Sequence, residues 1–132
     1  MNETDVELFN DSLDRCSGRP GFLDRFYELF LASSDEVAKK FERTDFRKQT
    51  RVLKASLYIM MMAERPEFAA HMERIAKLHS RTELDINPEL YDKWLDCLLR
   101  AAEEFDSSFD MDTKAVWTRV LEHGIAFMKS RY

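Results

Sequence analysis

The sequence has almost nothing with which to break a helix: three glycines and three prolines in 132 residues. Folds made of many short strands need such residues at each tight turn, so their scarcity favours long helices. Helical periodicity fills the stretches between them. Phe22, Leu23, Phe26, Tyr27, Phe30 and Leu31 recur at the spacing of helical turns. Gln49, Val52, Leu53, Ser56, Leu57, Met60 and Met61 do the same, and so do Phe68, Met72, Ile75, Ala76 and His79. Two more stripes follow, one from Tyr91 to Phe105 and one from Val116 to Met128.

Start and stop signals divide these stripes into helices. Thr4 with Glu7 reads as a capping box opening a first helix that runs to about Cys16, and Ser17-Gly18-Arg19-Pro20-Gly21 breaks it. Ser33 to Glu36 offers a second box for a short helix ending near Phe41, and Asp45 can cap the long helix after it. Pro66 disfavours helical backbone at Arg65 and should end that helix there. Asn87 followed by Pro88 reads as a cap and first helical residue, and Asp110 or Asp112 opens the last helix. The expectation is an all-α bundle of six to eight helices forming one domain over residues 1–132.

The net charge of −5 gives no electrostatic reason to expect nucleic acid as a partner. The N-terminal stretch MNETDVELF does not read as a secretory signal, and the apolar run from Leu57 to Ala63 is too short to span a bilayer. Cys16 and Cys97 match no metal or redox spacing. Two free thiols fit a reducing cytoplasm, with no membrane involved.

Catalytic motifs are missing: no glycine-rich phosphate loop, no G-x-S-x-G turn and no histidine pair at metalloprotease spacing. Of the histidines His71, His79 and His123, only His79 closes an apolar helix face, that of Met72, Ile75 and Ala76. An imidazole so placed suits iron ligation, although a histidine on such a face is more often structural. Met60-Met61-Met62 reads better as core filling than as an axial ligand.

Phe26-Tyr27, Phe41, Gln49 with Leu53, Ile75-Ala76-Lys77-Leu78-His79 and Pro88-Glu89-Leu90-Tyr91, in that order, resemble bacterial single-domain globins and the globin domain of flavohaemoglobins. The resemblance runs from about Phe22 to Met128 and implies a globin fold around heme b (iron protoporphyrin IX). It makes His79 the proximal iron ligand and Phe41 the aromatic packed on the porphyrin. Tyr27 and Gln49 become distal donors toward O2, NO or CO, and Leu53 an apolar cover one turn beyond Gln49. Tyr91 matches a tyrosine that joins a glutamate in bonding the proximal histidine, but the glutamate position falls at about Tyr132. The stretch between His79 and Tyr91 is two residues longer than the family pattern, which implies a longer corner over 81–86. Lys77 and Arg81 flank His79 as candidate partners for a heme propionate, with solvated surface charge as the competing reading. The implied function is reversible gas binding, for oxygen storage or, with an external reductase, NO dioxygenation. A gas sensor, a heme-free interaction module and a homodimer stay open as alternatives.

Overall fold

The computed structural model describes residues 2–132; Met1 of the N-terminal stretch lies outside them. Seven α-helices follow one another: α1 (Glu3–Ser17), α2 (Phe22–Ser33), α3 (Asp35–Lys40), α4 (Phe46–Met60), α5 (Ala69–His79), α6 (Leu90–Phe105) and α7 (Met111–Ser130). No strand occurs among the described residues.

The helix starts show which polar residues win the free N–H groups. Asp45 accepts from the amides of Arg47 and Lys48, and Asp110 from that of Thr113, as their spacing predicts. The first cap differs: Asn2 accepts from the Asp5 amide at 2.8 Å, so α1 begins earlier than the Thr4 box suggests. Ser34, rather than Ser33, caps α3 by accepting from Val37.

Two helix ends shift for a shared reason. α4 stops at Met60, short of Arg65, because the chain tightens into i to i+3 bonds at Met62, Ala63 and Arg65. Pro66 still holds Arg65 extended, at φ −78° and ψ 133°. Likewise Asn87 and Pro88 form a tight turn, with the Leu90 and Tyr91 amides bonded to their carbonyls, before α6 becomes regular.

The core lies where α1, α2, α6 and α7 meet, around the fully buried Phe9, Leu13, Phe26, Leu98, Trp117 and Leu121. Within it sits one polar chain. The Trp117 indole N–H donates to Ser12 Oγ at 2.8 Å, and the Ser12 hydroxyl donates to Asp106 Oδ2 at 2.6 Å. Arg15 grips both oxygens of Asp106, and the Ser108 amide adds a further donor. Burial pushes the Asp106 carboxyl up, but Arg15, Ser12 and Ser108 outweigh it and hold the group below the usual carboxylate range. This network ties α1, the end of α6 and α7 into one frame.

α3 to α5 pack on one side of that frame and leave a cavity against α2, α6 and α7. Gly124 of α7 makes the α4 crossing close, since a Cβ there would collide with the methyl end of Met60. No described helix is long and apolar enough to cross a membrane. Cys16 and Cys97 are both unpaired and buried, and burial pushes the Cys16 thiol up to about 12.

Candidate functional site

The cavity holds about 170 Å³ and opens to solvent at its mouth. Its wall is mostly apolar and aromatic: Phe30, Phe41, Leu53, Met60, Ile75 and Trp94 among others. α2 and α4 contribute Tyr27, Gln49 and Leu53; α5 contributes Ile75 and His79; α6 contributes Leu90, Tyr91 and Trp94. The aromatic side is rigid by mutual packing. The Phe41 ring lies 5.7 Å from Tyr27, 5.9 Å from Phe30 and 6.0 Å from Phe46.

His79 is the last residue of α5 and half-buried. Its Nδ1 meets the Ile75 carbonyl at 2.8 Å. A carbonyl can only accept, so Nδ1 carries a proton; in the neutral imidazole the lone pair is then on Nε2, the tautomer in which Nε2 can ligate a metal. The corner after it is laced to its backbone: the Ile86 amide donates to the His79 carbonyl, and those of Glu83 and Asp85 to Ser80. The corner holds one residue in left-handed conformation, Asp85 at φ 50°.

Tyr27 is buried, and burial pushes its hydroxyl up to about 12, with the neighbouring Gln49 side chain working against the rise. The phenol is therefore neutral at physiological pH and keeps its proton to donate. Tyr91 is raised to about 12 by burial alone. Its hydroxyl has no hydrogen-bond partner among the described residues, so it does not engage His79. The Tyr132 hydroxyl donates to Asp85.

A sequence model of the globin family matches residues 24–128. The chain is a globin. A Pseudomonas aeruginosa PAO1 protein, whose crystal structure is described as structurally highly homologous to a human hemoglobin, superposes with a TM-score of 0.93. The two are 40% identical over 97% of this chain and 98% of that one. A search of the curated proteins finds no match.

Membership implies a heme-binding globin, and the donor set suits such a group. Among the described residues no group of three or more His, Cys, Asp or Glu side chains could hold a bare metal ion. A single imidazole inside an apolar cavity suits an iron whose remaining ligands would come from a macrocycle.

Six of the residues singled out from sequence line this globin's cavity: Tyr27, Phe41, Gln49, Leu53, His79 and Tyr91. Lys77 and Arg81 do not. Lys77 borders a separate surface groove with Glu73 and Arg131, and the Arg81 guanidinium lies over the Tyr132 ring at 4.8 Å. Helical geometry explains their placement: Lys77 projects from α5 two residues before His79, on a different face, and Arg81 already belongs to the corner. Among the described residues the one Lys, Arg, Asp or Glu lining the cavity is Lys40, whose Nζ donates to the carbonyls of Leu84 and Asp85 at 2.8 and 3.1 Å. Its position just before Phe41 was the available signal. Val52, expected inside, is 49% exposed at the cavity edge.

Proposed function

We propose that residues 1–132 form one globin domain that holds heme b through His79 Nε2 and binds O2, and also NO and CO, beside Tyr27 and Gln49. The observation that carries this reading is the imidazole: one nitrogen is committed to Ile75, and the other is free in a cavity shared with two neutral hydrogen-bond donors. Heme iron, when bound, supplies an open coordination position for a diatomic gas.

The chain's own residues supply the rest. Ile75 fixes the tautomer and the plane of the His79 ring. A carbonyl acceptor lends the imidazole less negative character than a carboxylate would, which favours reversible binding over peroxidase-like activation. Phe41, Leu53 and Phe30 line the cavity with apolar surface. Tyr27 O–H and Gln49 N–H stabilise a ligand that gathers negative charge. Lys40 is the cation available to a propionate at the mouth, in exchange for its two carbonyl contacts. NO dioxygenation would further require electrons from an external reductase.

Purified from heme-replete cells, the protein should show an intense Soret band that shifts when CO is added after reduction. A colourless preparation that also fails to take up hemin would leave only a heme-free binding module. Tyr27→Phe should speed O2 dissociation by about tenfold or more, since a buried donor contributes ~1–3 kcal/mol. An unchanged rate in stopped flow would remove Tyr27 from the donor set. Lys40→Met should speed hemin transfer to an acceptor globin by up to about fivefold, the scale of a solvent-exposed ion pair. Lys77→Met should leave that transfer rate unaltered.

A further inference from the structure

α5 carries His79, yet little apolar burial holds it in place: of its eleven residues only Met72 and Ala76 are buried. No side chain caps its start, and residues 81–85 of the corner after it are exposed. A segment with so few buried contacts opens more easily than the core beside it. The end of α5 therefore depends on polar ties to the rest of the molecule.

Arg131 and Tyr132, just past α7, reach this segment on both sides of His79. Arg131 grips both carboxylate oxygens of Glu73, at 2.7 and 3.3 Å, and its guanidinium is braced over the Phe127 ring. The Tyr132 carbonyl accepts from the Arg81 amide at 3.3 Å, its hydroxyl donates to Asp85, and its ring lies under the Arg81 guanidinium. Asp85 is the one non-glycine residue with left-handed backbone among the described residues. Such backbone persists where its neighbours over-determine it. Here Tyr132 holds the Asp85 side chain, and Lys40 holds its carbonyl. An exposed ion pair contributes little by itself, but two-oxygen contact and several charges in one network are the arrangements that do count.

We propose that Arg131 and Tyr132 form a clasp that pins α5 and its corner to α7, which makes them positioning residues for the His79 imidazole. The bond from His79 Nδ1 to the Ile75 carbonyl fixes the ring relative to α5. The clasp fixes α5 relative to the frame of α1, α2, α6 and α7. When Lys40 leaves the Leu84 and Asp85 carbonyls for a propionate, Tyr132 is the tie that remains on Asp85. The clasp itself acts in the heme-free chain; its effect on iron ligation rests on the function proposed above.

The test is amide hydrogen exchange of the heme-free full chain, read over residues 69–86. Arg131→Gln with Tyr132→Ala should speed exchange there by about tenfold or more and leave α1, α2 and α6 unaltered. Arg119→Gln removes an equally two-pronged ion pair between α7 and Asp5, and should change exchange over 69–86 by less than about twofold. An equal rise in both variants, or a uniform rise along the chain, overturns the clasp. Should the double variant fail to fold, Tyr132→Phe decides: it keeps the ring under Arg81 and should speed exchange over residues 80–86 by about threefold, and an unchanged rate overturns the clasp. In hemin-loaded, reduced, gas-free protein the iron–histidine stretching band should shift or broaden in the double variant. An unaltered band beside faster exchange overturns the positioning role. A wild type that takes up no hemin overturns the proposed function and that role with it, while exchange still decides the clasp.

Discussion

Replacing His79 by glycine is expected to leave a folded helical protein that loses hemin at least about a hundredfold faster, a change of ~2.7 kcal/mol. The direction follows from the number of bonds at stake. The other cavity residues would give the group dispersion or aromatic contacts, single hydrogen bonds or, at Lys40, an exposed ion pair, whereas His79 is the imidazole that would ligate it. The cost to the apoprotein should be small, about 1 kcal/mol for glycine in a helix, and less here because position 79 ends α5. Adding free imidazole should restore the absorption spectrum without altering the helical content. If hemin release is unchanged, His79 is a structural residue and the proposed function fails. If the helical signal collapses with the heme, His79→Gln, which keeps the shape and lacks the ring, separates folding from ligation.

Asp106→Ala should lower stability by about 3 kcal/mol and the melting temperature by about 10 °C, far from the cavity. The carboxylate side chain is wholly buried, and its loss strands the Ser12 hydroxyl and the Ser108 amide. Arg15 keeps 40% side-chain exposure and can turn to water, which keeps the cost at the lower end of the range for a broken buried pair. The pH dependence has a definite sign. The folded carboxyl lies below its ordinary value, so its contribution is fully present above about pH 4 and is lost as pH falls through the folded value. Denaturant melts at stepped pH should show the wild type losing stability below about pH 4 and Asp106→Asn losing less. Parallel curves would mean that the pair carries no pH-dependent stability.

Much of this fold was legible in sequence because helices announce themselves locally. Apolar stripes at helical spacing gave α2, α4, α5, α6 and α7 their inward faces, Val52 excepted, and Asp45 and Asp110 opened helices where their side chains could reach the next free amides. The misplaced ends, at Met60 and Leu90, lie where the chain tightens into i to i+3 turns that leave no mark on periodicity. The cavity was legible through resemblance, since no spacing rule singles out His79 from three histidines. Lys40 was not legible because it lies far from His79 in sequence, and only the fold brings α3 to the corner, 44 residues away. Asp106 escaped for a similar reason. A buried aspartate at a helix end looks like a surface cap until Ser12 and Trp117 arrive from opposite ends of the chain.

That same trio sets a timetable for biosynthesis. Ser12 waits 94 residues for Asp106 and 105 for Trp117. At roughly 5–20 residues per second, α1 is exposed for roughly 5–20 s before its partners leave the ribosome. During that interval Phe9, Leu13 and Cys16, which are fully buried in the finished protein, have no native surface to cover them. Nascent chains halted before α7 should therefore be the species that chaperones and proteases recognise, and release of the last helix the event that ends their access.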